Sequence, residues 1–468
     1  MPLLDLAEAI DAASFHTDPQ WIRRGDVEAA LAQASASPDA VVVEGTFRTG
    51  AQDHFPLETH VSFAVPESDG RIIVHSSTQH PSETQAVVAH VLGVSLNQVV
   101  VQCSRMGGAF GGKESQANAW AAVAAVGAAK TGRATLVRLD RDRHMTMTGK
   151  RHPFLARYRA AIGRDGLLRA LDVELYSDGG WSLDLSDAVT GRAMMHVDNA
   201  YYWPAMRVRG QVVRTDKVSQ TAFRGFGGPQ RMAVAEEVLD RSARAAGLDP
   251  NVVRARNLYA AAGEAGTTHY GEEIGDDRLH TIWSGLEASS SYVTRRAEVQ
   301  AWNASPEASR RRRRRGLAMT PVKFGISFTT TFLNQAGALV NVLVDGSVQV
   351  HHGGTEMGQG LQVKLSQIAA DAMGVPLTAI RMMSTRTDIV PNTSATAASS
   401  GTDLNGGAIV AACASLRARM APVAASLLSG DGVVVAADDG HFEAGAGATS
   451  SRPGALRSEE HTSELPSH

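Results

Sequence analysis

Apolar residues along the first hundred positions fall in short β-rich runs at 41–44, 61–65, 72–74 and 99–101. Bounded by turn residues, such runs predict strands. Positions 83–92 and then 115–129 carry apolar residues at helical spacing, as do 26–35 near the start. Strands alternating with helices predict an α/β (α+β) fold. Ala233, Val234, Val238 and Leu239 extend the helical pattern over 230–260, and the Gly/Thr-rich stretch 261–275 is a loop. From Leu317 a second α/β unit follows, with a strand over 339–344, the turn Asp345-Gly346, a strand at 348–350 and helices over 362–373 and 409–416.

Composition narrows this picture. A chain of 468 residues is too long for one ordinary core, which predicts two or three domains. The 43% hydrophobic and 20% charged residues indicate a globular protein, and the net charge of -3 argues against a nucleic-acid binder. Cys103 and Cys413 cannot supply four thiolates for an iron–sulfur cluster or a structural zinc site. They suit a reducing compartment, and with neither a signal peptide nor a run of roughly eighteen apolar residues in view, the expectation is cytoplasmic with no membrane contact. Residues 1–45 read as a remnant of a small N-terminal domain, 46–300 as a first domain, 301–316 as a linker and 317–456 as a second domain. The linker holds six consecutive arginines at 310–315, whose mutual repulsion predicts a solvated surface rather than a nucleic-acid patch.

The candidate chemistry lies in four loops of small residues. The first is Arg105-Met-Gly-Gly-Ala-Phe-Gly-Gly-Lys-Glu114, between a strand and a helix. Glycine permits φ > 0 and close backbone approach, and amides converging at a helix N-terminus suit anionic oxygens, although a plain tight turn has the same composition. Repetition is what shifts the reading towards a ligand. Thr221-Ala-Phe-Arg-Gly-Phe-Gly-Gly-Pro-Gln230, His352-Gly-Gly-Thr-Glu-Met-Gly-Gln-Gly360 and the hydroxyl-rich 392–406 also lead into helices. Four such loops imply a large, oxygen-rich anionic ligand, where a nucleotide usually needs one or two.

In this order and spacing the four loops resemble the molybdopterin-binding subunits of xanthine dehydrogenases, in the molybdenum hydroxylase family that also contains aldehyde oxidases. Ala51-Gln-Asp-His-Phe55, Ser77-Thr-Gln-His-Pro-Ser-Glu83, Met147-Thr-Gly-Lys-Arg-His-Pro-Phe154 and Lys323-Phe-Gly-Ile-Ser-Phe-Thr329 extend the resemblance over most of the chain. It implies two molybdenum-cofactor-binding α/β domains preceded by a remnant of a hammerhead domain. It further implies a molybdenum–molybdopterin cofactor in its sulfido form, hydroxylation with water as oxygen source, and electrons passed to a partner subunit carrying [2Fe–2S] clusters and FAD. The implied assembly is a dimer of heterodimers.

Roles follow residue by residue from the resemblance. Gln79, Phe110, Arg224 and Ala397 correspond to the surroundings of the metal, with no side chain ligating it. Gly111, Gly112, Gln359, Ala398 and Ser399 join them as the cofactor cradle. Glu114 corresponds to the carboxylate that reads the polar edge of a heterocycle, and Arg192 to the guanidinium that neutralises charge building on it. Phe226 and Phe328, with Thr329 adjacent, correspond to the pair of rings that sandwich a planar substrate. Glu114 and Arg192 together favour purines over aldehydes. Each residue also has an ordinary role: helix-start acid, surface ion-pair partner, core aromatic.

The departures carry expectations as well. Measured against the family, most of the N-terminal domain is expected to be missing, as is the C-terminal region bearing the general-base glutamate, so no catalytic residue is assigned and an inactive fragment stays open. Residues 457–468 resemble a translated sequencing adapter and are set aside. Ala109 stands where the family usually has glycine, and its methyl would crowd the loop if that position needs φ > 0.

Overall fold

The computed structural model describes residues 1–275 and 278–428, with short strands beyond at Ala437–Asp438, His441–Phe442 and Thr462–Leu465. The described chain forms two compact units, and neither is a continuous stretch of sequence.

One unit comprises Met1–Gln52, Arg151–Gln220 and Gly225–Gly325. Its sheet has five strands in the order Gln20–Arg24, Ala205–Arg214, Leu168–Gly180, Phe154–Gly163 and Ala40–Thr49. All neighbours are antiparallel except Leu168–Gly180 and Ala205–Arg214, whose parallel pairing requires a crossover, supplied by the helix Ser186–His196. The core lies where Phe154, Tyr158, Ile162, Leu171, Val173 and Met206 meet Val234, Val238 and Leu239 of the helix Gly228–Ala245. That helix ends before the 230–260 pattern does, because Gly247, at φ 76°, closes its C-terminus with the Leu248 N–H donating back to the Ala243 oxygen, and Pro250 then opens a separate helix, Pro250–Arg256.

The division expected at residue 45 is corrected here. Gln20–Arg24 and Ala40–Thr49 are strands of the five-stranded sheet, and the intervening helix Val27–Ala36 buries Val27, Leu31 and Ala34 against Ala161, Ala170 and Ala205. A segment with too few apolar residues for its own core has been absorbed into its neighbour's. The expected linker at 301–316 begins inside the helix Tyr292–Ala304 and continues through Pro306–Arg310, and its six arginines are exposed. Arg310 and Arg311 share Glu307, and Arg315 lies 4.0 Å from the Trp302 ring centroid.

The other unit comprises Asp53–Lys150, Thr221–Arg224 and Ile326–His468. Its first sheet runs Thr385–Arg386, Val99–Cys103, Ile72–Ser76, Val61–Pro66, Thr135–Arg138. The helices Pro81–Leu92 and Ala117–Thr131 cover it, and Ala121, Ala124, Ala125 and Ala128 let the second approach Val74, Val99 and Val101 closely. The second sheet pairs Ile380–Met382, Val348–His352 and Ala336–Val342, with Thr462–Leu465 along the outer edge. The rest of 457–468 lies outside the described residues. The helices Leu361–Met373 and Gly401–Leu428 bury Leu365, Ala369, Ile409, Ala412 and Leu416 on this sheet. Gly401–Leu428 is long and apolar enough by composition to cross a membrane, but it carries Asp403, Arg417 and Arg419 and turns a core face to the sheet.

Candidate cofactor site

All the predicted site residues except Arg192 and Phe226 belong to the second unit. There the 105–114 loop leaves the strand Val99–Cys103 and turns sharply: Phe110 has φ 56° and Gly111 φ 99°. A side chain at Gly111 would meet the Ala222 carbonyl at 2.7 Å, and one at Gly112 would meet the His54 ring at 2.8 Å. His54 in turn donates from Nε2 to the Ala222 oxygen at 2.6 Å and stacks on Phe223 with centroids 4.4 Å apart, while the Arg224 N–H donates to the Phe110 oxygen at 2.8 Å. Glycine here admits another piece of chain, a use that loop composition alone does not distinguish from ligand approach. Ala109 has no positive φ, and its methyl packs with Cys103 and Met106, so the expected crowding does not arise.

Beneath the loop, Lys113 is fully buried and its three donors are all used, on the Glu58 carbonyl at 2.8 Å, the Glu58 carboxylate at 3.1 Å and the Ser77 hydroxyl at 2.8 Å. Burial lowers the Lys113 pKa, and the Glu58 charge opposes that shift. Burial pushes the Glu58 carboxyl up, but the Ser77 hydrogen bond and the Lys113 charge hold it below its usual range. Removing either partner would strand a desolvated group. Lys113 was visible as part of the Lys-Glu dipeptide, whereas Glu58 carried no local signal.

Gln79 joins two loops. Its Oε1 accepts from the Gly111 and Lys113 N–H groups at 2.9 and 3.4 Å, and its Nε2 donates to the Thr396 oxygen at 3.1 Å. Its backbone repeats the bridge, donating to the Lys113 oxygen at 2.8 Å and accepting from the Thr396 N–H at 2.9 Å. An amide nitrogen has two hydrogens, and the second is not used by the protein among the described residues.

The 392–406 loop borders a pocket lined by Phe328, Ser394, Thr396, Ser400, Gly401 and Asn405, at the N-terminus of the helix Gly401–Leu428. Ala398 and Ser399 adopt φ 56° and 58°, a strained pair of left-handed residues. The Ser394 hydroxyl and the Asn405 Oδ1 are buried without a protein partner among the described residues. Phe328 is pinned by Asn334, which accepts its N–H at 2.7 Å and donates to its carbonyl at 3.0 Å, and Thr329 beside it is exposed. Glu114 is buried and its N–H closes a turn on the Gly111 oxygen at 3.2 Å.

The 352–360 loop departs from expectation. Gln359 is exposed and spends its side chain locally, accepting from the Met357 N–H at 2.7 Å and donating to the Thr355 oxygen at 2.9 Å. The amides of Gly358, Gly360 and Gln362 donate to the Glu356 carboxylate at 2.8, 3.1 and 3.0 Å. The helix Leu361–Met373 therefore carries its own anion, and these amides are not presented to a ligand. Burial raises the Glu356 pKa, but the backbone donors prevail and lower it.

In the first unit, Arg192 is buried on the helix Ser186–His196, where it donates to the Gly325 oxygen at 2.7 Å and lies 5.6 Å from the Phe324 ring centroid. Burial lowers its pKa. Phe226, at φ 46°, packs on the edge of the core, between Gly225 and Gly227 with φ 97° and 87°.

Two family models of the molybdopterin cofactor-binding domain match the chain, over residues 13–258 and 286–461. The chain belongs to this family. Xanthine dehydrogenase of Emericella nidulans is 44% identical over 90% of the chain, and the xanthine dehydrogenase/oxidase of Gallus gallus is 43% identical over 92%. The chain spans 30% and 31% of these two proteins, about a third of the length of the curated relatives it matches. Among solved structures, the aldehyde oxidoreductase of Desulfovibrio gigas aligns at TM-score 0.71 and 28% identity, covering 85% of this chain and 42% of that one. The CO dehydrogenase of Oligotropha carboxidovorans aligns at TM-score 0.79 over 92% of this chain and 57% of that one, and at 21% identity it speaks for the fold alone.

The residues present fit a molybdopterin cofactor. Unpaired buried oxygens at Ser394 and Asn405, a helix N-terminus and the spare Gln79 hydrogen are polar groups that an oxygen- and nitrogen-rich ligand satisfies. Among the described residues no group of three His, Cys, Asp or Glu is arranged to hold a metal ion.

Proposed function

We propose that this chain is the molybdopterin-binding part of a molybdenum hydroxylase of the xanthine dehydrogenase type, acting on hypoxanthine and xanthine. The observation that carries this reading is the Gln79 bridge, a buried amide tying the 105–114 loop to the 392–406 loop beside a pocket with unpaired polar oxygens. When bound, the molybdenum cofactor supplies oxygen insertion from water and takes up two electrons. Gln79, Phe110, Arg224 and Ala397 would surround its metal, and the pocket at Ser394, Thr396 and Asn405, with Ala398 and Ser399 of the same loop, would hold its pterin and phosphate.

On the substrate side, Glu114 accepts hydrogen bonds from the ring edge, and Arg192 stabilises negative charge that develops on the heterocycle during attack. By the family resemblance Phe226 and Phe328 each correspond to a stacking aromatic, a contact worth roughly 0.5–1.5 kcal/mol beyond area burial. Following the family resemblance, electrons leave to a [2Fe–2S]/FAD subunit, in a cytoplasmic assembly that the same resemblance makes a heterotetramer.

The test is turnover by the complete protein purified from a molybdenum-supplied host. The reading expects hypoxanthine and xanthine to be hydroxylated, with Arg192→Ala lowering kcat/KM on both by about 100-fold, on the scale of removing one stabilising donor. Purine turnover unchanged in Arg192→Ala, or an aldehyde as the sole substrate, would overturn the purine assignment.

A further inference from the structure

The environment of Arg192 contains a closed ring of hydrogen bonds whose direction fixes a tautomer. The Gly325 N–H donates to His196 Nε2 at 3.1 Å, and a backbone N–H can only donate, so Nε2 bears the lone pair. Nδ1 therefore carries the proton and donates to the Arg192 carbonyl at 3.1 Å. Arg192 closes the ring by donating from Nη1 to the Gly325 oxygen at 2.7 Å. His196 thus holds the N–H of Gly325 while the guanidinium one turn earlier on the same helix holds its carbonyl.

Gly325 ends a strap pinned at Pro321, Lys323 and Gly325. Asn199 donates to the Pro321 oxygen at 2.9 Å and accepts from the Lys323 N–H at 3.4 Å. Arg231 donates to the Lys323 oxygen at 3.2 Å, and the Lys323 ammonium reaches Asp198 at 2.5 Å. Asp198 is fully buried and also accepts from the Tyr259 hydroxyl at 2.6 Å. A side chain at residue 325 would meet His196 Nε2 at 3.2 Å, so the approach leaves little slack. A strap this constrained is a fixed reference against which a guanidinium can be aimed.

We propose that His196 is a positioning residue that holds the Gly325 peptide in register and so sets the direction of the Arg192 guanidinium towards the substrate. This rests on the substrate role proposed for Arg192. His196 is buried and faces the cations Arg231 and Lys323 and the anion Asp198, with the rings of Phe324 and Tyr270 at 6.0 and 6.4 Å. Burial, then the two cations, lower its pKa to about 3, which keeps it neutral and lets Nε2 accept. A direction error of about 1 Å at a polarising group costs on the order of 100-fold, so a residue outside the substrate's reach can govern its rate.

Two measurements test this. The first is histidine-selective nitrogen NMR on the complete protein. The proposal expects His196 as the Nδ1–H tautomer with no titration between pH 8 and 5; an Nε2–H tautomer, or titration near the ordinary value, overturns it whatever the enzyme's activity. The second is kinetics of the cofactor-loaded protein with a purine and with an uncharged aldehyde. His196→Phe, which removes both nitrogens, is expected to lower kcat/KM for the purine about 30-fold and for the aldehyde less than about 3-fold, on the scale set by misplaced polar groups. His196→Gln, whose amide oxygen reaches the Nε2 position, is expected to recover most of the loss. In an Arg192→Ala background His196→Phe should add less than about 2-fold, the non-additivity of residues acting as a unit. Equal losses on both substrates, or full additivity, would overturn the proposal. A wild-type protein that turns over neither substrate refutes the proposed function instead, and the tautomer alone then decides the His196 latch.

Discussion

Two glycine-rich turns in the second unit, 105–114 and 352–360, have nearly the same composition and do opposite things. In the first, glycine is demanded by contact: Gly111 combines φ 99° with an Ala222 carbonyl 2.7 Å from where a side chain would begin. In the second, Gly358 has φ 103° but nothing lies near it, and the turn's amides converge on the carboxylate of Glu356. One turn is closed by a neighbouring backbone, the other by its own acid. Glycine content therefore reports a turn, and only its surroundings report whether amides remain for a ligand.

The largest effect that would break this contrast is at Gly111. Gly111→Ala adds overpacking against Ala222 to a left-handed strain, together about 3 kcal/mol, readable as a lower denaturation midpoint. Glu356→Ala is expected to cost about 2 kcal/mol, because three turn amides lose a charged acceptor at a helix N-terminus. Gly358→Ala should cost about 1 kcal/mol, from backbone conformation alone. If Gly358→Ala proved as damaging as Gly111→Ala, the distinction between a packed and an open glycine would be wrong.

The mildest test leaves the sequence unchanged. His60 and His144 are buried in the unit that carries both turns, with ring centroids 4.9 Å apart, and His352 opens the second turn. Burial lowers all three, His144 and His352 to about 4 and His60 well below 6.5. The unfolded chain then binds more protons than the fold between about pH 6.5 and 4, so the stability held by neutral imidazoles is complete above that window and declines as pH falls through it. Thermal melts from pH 8 to 4 should show the loss beginning near 6.5. Flat stability down to pH 4 would contradict it.

Legibility in the sequence was uneven for physical reasons. The strands Val61–Pro66, Ile72–Ser76 and Val99–Cys103 and the helix Leu361–Met373 stand close to where β-branched runs and helical spacing put them, since their apolar faces are contiguous in sequence. The three long strands Phe154–Gly163, Leu168–Gly180 and Ala205–Arg214 went unread. Their outward positions carry Arg159, Asp172 and Arg207, which with Glu28 form one ion network across the sheet, and that pairing is invisible without the register. At the site, loop positions and residue types were legible from the family resemblance. The partners were not: Glu58 beneath Lys113, Ala222 against Gly111 and His196 against Gly325 are all remote in sequence.

The central claim is that the Gln79-bridged loops and the adjoining pocket hold a molybdopterin cofactor. The most direct measurement is the molybdenum and pterin content of the complete protein, wild type beside Gly111→Ala and Gly358→Ala, purified from a host that makes the cofactor. The account predicts about one molybdenum and one pterin per chain in the wild type, as expected of a single tight site, near-wild-type loading in Gly358→Ala and loss of most of both in Gly111→Ala. A wild-type protein without molybdenum and pterin, or a folded Gly111→Ala that keeps both in full, would contradict it.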